Sequence, residues 1–309
     1  MGAPSEPDPR AARQARIGAL GWDYDAQPRE PVGACSVCGP EGRPVEAASR
    51  DRYGFETGLF VCRRCGLGWL SPRMTAAAYA GFYAAVYRPL VSAYHGRRID
   101  AETVQEEQAA YGEALGAYLA RRLPAPPRTL LDMGGSTGVV AAAIATRFGA
   151  AATVVDPAPD ELAVARAAGI ETVAGFAEDY DAQGRTWDLV MLCQAIDHLL
   201  DARRALSALR RMTAPGGRAF VDIVDIGLLL GRVESIEALV KVDHPYYFSR
   251  SSAIALFSLS GYRVVAERVR NDGHRGFVLE PREPVEPDWG RHEASAAKLL
   301  GRLGVAPAG

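Results

Sequence analysis

The chain has 309 residues, 35 Lys plus Arg against 37 Asp plus Glu, a formal net charge of −2 and 48% hydrophobic residues. That length can bury a substantial core and leaves room for one large domain and a small one. The near-neutral balance supplies no bulk drive toward nucleic acid or anionic membrane, and no run of about 18 apolar residues is present to span a bilayer.

Residues 1–30 are rich in Pro, Ala and charge and lack an apolar stretch of the secretory kind. They read as a flexible leader on a soluble, cytoplasmic protein, although Ile17 to Trp22 could dock. Residues 31–75 form a small domain on short, turn-bounded strands. It holds two cysteine pairs, Cys35-Ser36-Val37-Cys38 and Cys62-Arg63-Arg64-Cys65, with 23 residues between Cys38 and Cys62. In a cytoplasmic chain such pairs favour metal over disulfides. Two knuckles can turn four soft thiolates toward one Zn²⁺, which then has no open position, so a structural zinc ribbon on Cys35, Cys38, Cys62 and Cys65 is expected. Over residues 28–75 seven Arg and no Lys face five acidic residues, and four thiolates on Zn²⁺ would cancel the excess. The ribbon is therefore poorly equipped to grip phosphates.

Residues 76–124 read as a helical linker or cap. One helical pattern runs from Thr75 to Tyr94 and a second from Ala101 to Leu123, where Val104, Gln108, Tyr111, Leu115, Tyr118 and Leu119 share a stripe. Tyr83, Tyr87, Gln108 and Tyr111 are placed to close over a ligand. Pro124 to Arg128, PAPPR, breaks the chain.

Over residues 125–281 strands and helices alternate. Strands are expected at 129–133, 152–156, 171–174, 188–193, 217–223, 263–269 and 276–279, and helices at 139–148, 160–168, 202–212 and 251–260. Crossover helices of this length imply a parallel sheet. The last two strands meet at Asp272-Gly273-His274, so that pair is antiparallel. The fold class is α/β, with a Rossmann-like seven-stranded sheet that is mostly parallel with its last strand antiparallel, plus the ribbon. An amphipathic insertion at about 226–248 is expected to form a lid or a homodimer contact. Residues 282–309 read as a tail with one short helix at 293–303.

The first strand ends at Asp132 and is followed by Gly134, Gly135, Ser136 and Gly138 before a helix. Small residues let the backbone approach a ligand, and the helix N-terminus offers free N–H groups. The dinucleotide pattern GxGxxG fails, because Ser136 and Val139 occupy its second and third glycine positions. Asp132 suits a cationic amino group instead. Asp156 ends the second strand and can accept from both ribose hydroxyls. Gly175 to Asp179 holds the stretch where an adenine edge would be read. Cys193, a small core residue, and Gln194 close the fourth strand.

The motifs LLDMGGSTG, TVVDPAPDEL, CQAIDHLLD and APGG, in that order and spacing, resemble class I S-adenosylmethionine-dependent methyltransferases. The upstream CSVCG, DRYGF, VCRRCGLGWLSPRM and FYAAVYR resemble the zinc-ribbon head of a group common in natural-product and sugar modification. The resemblance implies that Asp132, Gly134, Gly135, Ser136 and Gly138 hold the methionine end, Asp156 the ribose, and Ala177, Glu178, Cys193 and Gln194 the rest of the cofactor. Ser136 replaces the family's usual glycine. Phe176 stands where an acid often reads adenine, and Glu178 is offered in its place. These 309 residues hold no counterpart of the large extra C-terminal domain of the sugar C-methyltransferases, so sugar C-methylation is not the expected reaction.

Methyl transfer from a sulfonium needs alignment, and a base only where the acceptor must lose a proton. His198, after the fourth strand, and His244, in VDHPYYF, are the candidate bases, His244 first. Tyr246, Tyr247 and Asp197 are candidates to line the substrate pocket. The implied partner is a small-molecule acceptor, with no nucleic acid and no membrane. An RNA methyltransferase docking RNA through its ribbon is the rival reading, followed by a cofactor-binding protein with other chemistry.

Overall fold

The computed structural model describes residues 9–99 and 101–305. Residues 1–8 of the expected leader, the side chain of Val104 on the predicted stripe, and residues 306–309 of the tail lie outside the described residues. In chain order the elements begin with α1 (Pro9–Gly18), β1 (Arg29–Glu30), β2 (Pro44–Arg50), β3 (Glu56–Cys62), β4 (Gly68–Ser71) and β5 (Arg73–Met74). The cap follows as α2 (Ala76–Ala85), α3 (Tyr87–His95) and α4 (Ala101–Leu119). Then come β6 (Thr129–Met133), α5 (Val139–Phe148), β7 (Ala151–Asp156), α6 (Pro159–Ala167), β8 (Glu171–Ala174), β9 (Trp187–Leu192), α7 (Ala202–Met212) and β10 (Thr213–Val224). The chain closes with α8 (Ile226–Leu229), β11 (Tyr246–Tyr247), α9 (Arg250–Leu259), β12 (Tyr262–Val269), β13 (His274–Pro281) and α10 (Trp289–Arg302).

The large sheet has seven strands in the order β12-β13-β10-β9-β6-β7-β8. Strands β10, β9, β6, β7 and β8 pair in parallel, and β13 runs antiparallel to both neighbours. This is the expected α/β sheet. The strands bury on both faces, as parallel strands covered by helices must: Leu130, Leu131, Val154, Leu189, Val190 and Val221 have no exposed surface. One layer of core carries α4, α5 and α6, the other α7 and α9. Helix starts follow local chemistry. Thr75 accepts from Ala78 N, Asp201 from Arg204 N and Asp288 from Arg291 N, and Ser249 with Ser252 makes a reciprocal capping box. The carboxyl ends of β6, β7, β9 and β10 therefore meet along one edge, where ligands lie in open α/β sheets.

A second sheet, of four strands in the order β11-β4-β3-β2, carries the cysteine pairs. Its outer strand β11 comes from the far side of the sequence: Tyr246 pairs with Trp69 and Tyr247 with Gly68.

Four boundaries differ from expectation. Within residues 9–30 the leader folds: α1 packs on α3, Ile17 is buried, and Tyr24 stacks on Phe55 and meets Trp22 at a tilt. The pattern over Thr75–Tyr94 divides into two helices at Val86. The segment expected as a lid at 226–248 instead lies against the small sheet, where aromatic bulk at Tyr246 and Tyr247 adds a strand. The tail helix is longer than predicted, and Ala296, Leu299, Leu300 and Leu303 bury one stripe of it. Leu59, Val61 and Leu70 of the small sheet, Ile226, Leu239, Val240 and Tyr247 of the inserted segment, and Leu299, Leu300 and Leu303 of α10 form a single core. Leu300→Ala is expected to cost about 2–4 kcal/mol, read as a lower urea midpoint, with loss of protection in 226–248 by hydrogen exchange.

Candidate functional site

The glycine turn closes the first parallel strand. Gly134, Ser136 and Gly138 all take left-handed backbone, φ +71°, +52° and +74°. Ser136 is the strained one, since a side chain disfavours that region. Its backbone N–H donates to Asp156 Oδ2 at 2.9 Å and its hydroxyl donates to Glu161. Arg88 of α3 pairs with the other oxygen of Glu161 at 3.3 Å, so the cap is tied across to the turn. At Gly135 a Cβ would come within 3.0 Å of the Asp132 carboxylate and 3.1 Å of Val154.

Along the carboxyl edge stands a row of buried acids. Asp132 is 1% exposed and neither carboxylate oxygen has a hydrogen-bond partner among the described residues. Burial, with Asp222 and Asp156 nearby, pushes its carboxyl well above the usual range. Asp156 accepts from Ser136 N and Ala158 N, and burial raises it too. Asp222 accepts from Gln194 N at 2.5 Å and from Tyr111 OH at 2.7 Å. Cys193 is buried beside this row, its thiol raised by burial and by Asp132 and Asp222. Ala177 is buried under the edge, next to Phe176, which is 52% exposed. Glu178 Oε1 accepts from Leu200 N at 3.1 Å and so braces the turn before α7.

The two candidate histidines meet. Their rings lie 4.5 Å apart at 71°. His198 Nδ1 is 2.9 Å from the Asp243 carbonyl oxygen and 2.8 Å from Tyr83 OH, and Tyr83 OH donates to the same carbonyl at 2.9 Å. A carbonyl only accepts, so the ring proton belongs on Nδ1 and Nε2 carries the free lone pair. His244 is 5% exposed, with Nε2 3.4 Å from Lys241 Nζ and 3.5 Å from Asp243 Oδ2. Burial holds both imidazoles below their ordinary pKa, and His244 well below, because Lys241 and His198 face it as well. The cluster of His198, Asp243 and His244 has donors spaced for a cation. The Lys241 ammonium already fills that role at His244 Nε2. Asp197, beside His198 in the chain, is 1% exposed, with Oδ2 accepting from Val224 N at 3.0 Å and Oδ1 without a partner among the described residues. Tyr246 and Tyr247, expected on a pocket wall, are buried instead: Tyr246 OH donates to Leu200 O and Tyr247 OH to Lys241 O, each at 2.9 Å. Strand pairing with β4 turns these rings into packing.

The four cysteines converge. Cys35 Sγ and Cys65 Sγ are 3.6 Å apart, and Cys38 Sγ and Cys62 Sγ 3.7 Å. A metal–sulfur bond of about 2.3 Å gives a tetrahedral edge of about 3.8 Å, whereas a disulfide needs about 2.05 Å. Backbone N–H groups of Cys38, Arg64 and Cys65 point at Cys35 and Cys62 sulfurs from 3.3 to 3.4 Å, the geometry of two thiolate knuckles.

Residues 104–267, just over half of the chain, match the family described as a methyltransferase domain. The chain belongs to that family. An uncharacterised methyltransferase of Mycobacterium tuberculosis is 37% identical over 122 residues, covering 35% of this chain and 49% of that protein. A ubiquinone biosynthesis O-methyltransferase of Xylella fastidiosa is 28% identical over 144 residues, covering 42% of this chain and 57% of that protein. The chain thus spans about half the length of the curated relatives it matches. A Nostoc punctiforme protein provisionally described as an O-methyltransferase shares the fold, with TM-score 0.50 at 19% identity over 62% of this chain and 60% of that one.

Several site residues escape a reading of the sequence alone. Asp222 could have been found as the last acid at the carboxyl end of the fifth parallel strand. Lys241 and Asp243 sit in irregular chain with no periodic signal. Arg52 and Tyr53 belong to the ribbon, yet Arg52 N donates to Val240 O at 2.9 Å and Tyr53 OH faces Asp243 Oδ1 at 3.5 Å. The ribbon thereby braces the histidine segment of the methyltransferase.

Asp132, without a partner among the described residues, gives the stability a signed pH dependence. A buried acid whose pKa is raised by folding stabilises below its unfolded pKa and ceases to as pH rises through its folded pKa. The ligand-free protein should therefore lose stability as pH rises above the ordinary carboxylate range. Asp132→Asn should flatten that slope and raise ligand-free stability by about 1 kcal/mol at pH 8. Urea unfolding at several pH values reads both.

Proposed function

We propose that the methyltransferase transfers a methyl group to a small-molecule acceptor, a biosynthetic intermediate of natural-product or sugar-like chemistry, and carries a structural zinc. The observation that carries the cofactor placement is the Asp132 carboxylate, buried and unpartnered at the mouth of a turn that bars a side chain at Gly135. A buried charge calls for a paired charge, and the ammonium of a methionine moiety supplies one. Gly134, Gly135, Ser136 and Gly138 would lie along that moiety, Asp156 would accept from the ribose hydroxyls, and Ala177, Cys193 and Gln194 would border the base. Bound there, S-adenosylmethionine supplies an electrophilic methyl on a sulfonium.

The chain's own part is to orient the acceptor and take its proton. His198 suits the base better than His244, because its Nδ1 proton is held by the Asp243 carbonyl and Nε2 faces no partner among the described residues. Lowered pKa keeps it neutral at pH 7 and ready to accept. Tyr83 fixes the ring and Asp197 underlies the pocket. Acceptor class is supported by charge: the ribbon lacks a basic stripe, which disfavours an RNA substrate. No helix among the described residues is long and apolar enough to cross a membrane.

His198→Ala should slow turnover by roughly 10²- to 10⁴-fold while S-adenosylmethionine affinity by calorimetry stays unchanged. The assay is product analysis with methyl-labelled cofactor and candidate metabolites; a loss below tenfold for both His198→Ala and His244→Ala would leave proximity as the source of catalysis. Asp156→Ala should weaken cofactor binding by about 2 kcal/mol. Metal analysis should find one zinc per chain, and Cys62→Ser should lower stability before it alters chemistry. Well under one equivalent, or a disulfide at either pair, would overturn the zinc assignment.

A further inference from the structure

Lys241 lies five residues before the strand β11 and reaches back to the histidine pair. Its Nζ makes the one hydrogen bond found at His244 Nε2 among the described residues, at 3.4 Å. The lysine is fixed from its own backbone: Tyr247 OH accepts from Lys241 N at 2.6 Å and donates to Lys241 O at 2.9 Å. Burial and the facing Arg52 push its pKa down to about 8, which leaves the ammonium mostly charged at pH 7. An ammonium has donors and no acceptor. The nitrogen it meets must then offer a lone pair.

We propose that Lys241 sets the tautomer of His244: its ammonium donates to Nε2, so that His244 presents an Nδ1–H donor beside the Nε2 lone pair of His198. Lys241 is a positioning residue, acting through His244. The inference rests on the reading of these two histidines as the pair that meets the acceptor. It deepens that reading, because a donor and an acceptor side by side suit a molecule with a hydroxyl next to a second oxygen. The hydroxyl gives its proton to His198 and the neighbouring oxygen accepts from His244. Other groups face His244 from every side. His198 stands 4.5 Å away on the turn after β9, Tyr247 at 6.2 Å on β11, and Asp243 Oδ2 at 3.5 Å on the same segment. Arg52 of the ribbon and His274 of the β12–β13 hairpin act through charge. Of the positive groups, Lys241 alone is close enough to bond. Asp243 is the alternative partner, and it would take the opposite tautomer, with the proton on Nε2.

Imidazole ¹⁵N spectra of the full-length, metal-loaded protein labelled at histidine separate these states, with His244→Gln assigning the signal. The expected wild-type signal is a neutral His244 protonated on Nδ1 at pH 7. In Lys241→Met the proton should move to Nε2, toward Asp243, and the proton affinity of the ring should rise roughly tenfold. Lys241→Arg should retain the wild-type pattern. A wild-type His244 protonated on Nε2 overturns the proposal without any variant, as does a Lys241→Met spectrum identical to wild type. The spectra do not depend on turnover. If they behave as expected while His198→Ala remains active, the role of the pair in methyl transfer fails and the role of Lys241 stands.

Discussion

Two residues of strand pairing hold the site together. Tyr246 and Tyr247 add to the edge of the cysteine-bearing sheet opposite Trp69 and Gly68. The segment just before them carries Lys241, Asp243 and His244. An isolated two-residue strand would not persist in water. Here it is clamped by a core shared among the small sheet, the inserted segment and the C-terminal helix. Val242 N adds to this by donating to Asp51 Oδ2 at 3.2 Å. The ribbon is thus part of the scaffold of the histidine pair.

Across the cleft the constraint is electrostatic. Asp132, Asp156 and Asp222 converge at the strand ends because each lies at the carboxyl terminus of its own strand. Two of them gain hydrogen bonds from the chain, Asp156 from backbone and Asp222 from Gln194 N and Tyr111, and Asp132 gains none among the described residues. The fold accepts the cost of that group where a ligand cation can repay it. Ser136 adds a second local cost, a non-glycine residue at φ +52°, offset by its bonds to Asp156 and Glu161. Strain and unpaired charge concentrate at one turn, as they do at binding sites.

What could be read in the sequence follows from periodicity and spacing. Alternating strands and helices placed Asp132 and Asp156 at one edge, and the paired CxxC spacing brought four sulfurs together. Both signals are local, so both survive without knowledge of packing. The fate of Tyr246 and Tyr247 was not legible, because two aromatic residues are too few to show an alternation and their partner strand lies over 170 positions earlier. The brace at Glu178 was hidden for a similar reason: its partner, Leu200 N, is brought near only by the crossover. The docked α10 left a trace that composition hid. Ala296, Leu299, Leu300 and Leu303 follow a helical stripe within a stretch opened by Pro and Glu.

The contact at Gly68 binds two distant stretches into one unit of inheritance. A Cβ there would come 2.9 Å from Tyr247 Cβ, so any side chain at position 68 must push β11 away. Tyr247 in turn grips the backbone of Lys241. Drift in the ribbon strand is therefore felt at the histidine pair, and a ribbon grafted from a distant relative would arrive mismatched. Sequence change in the small sheet and in the segment that carries Lys241 and His244 is therefore coupled through this one contact.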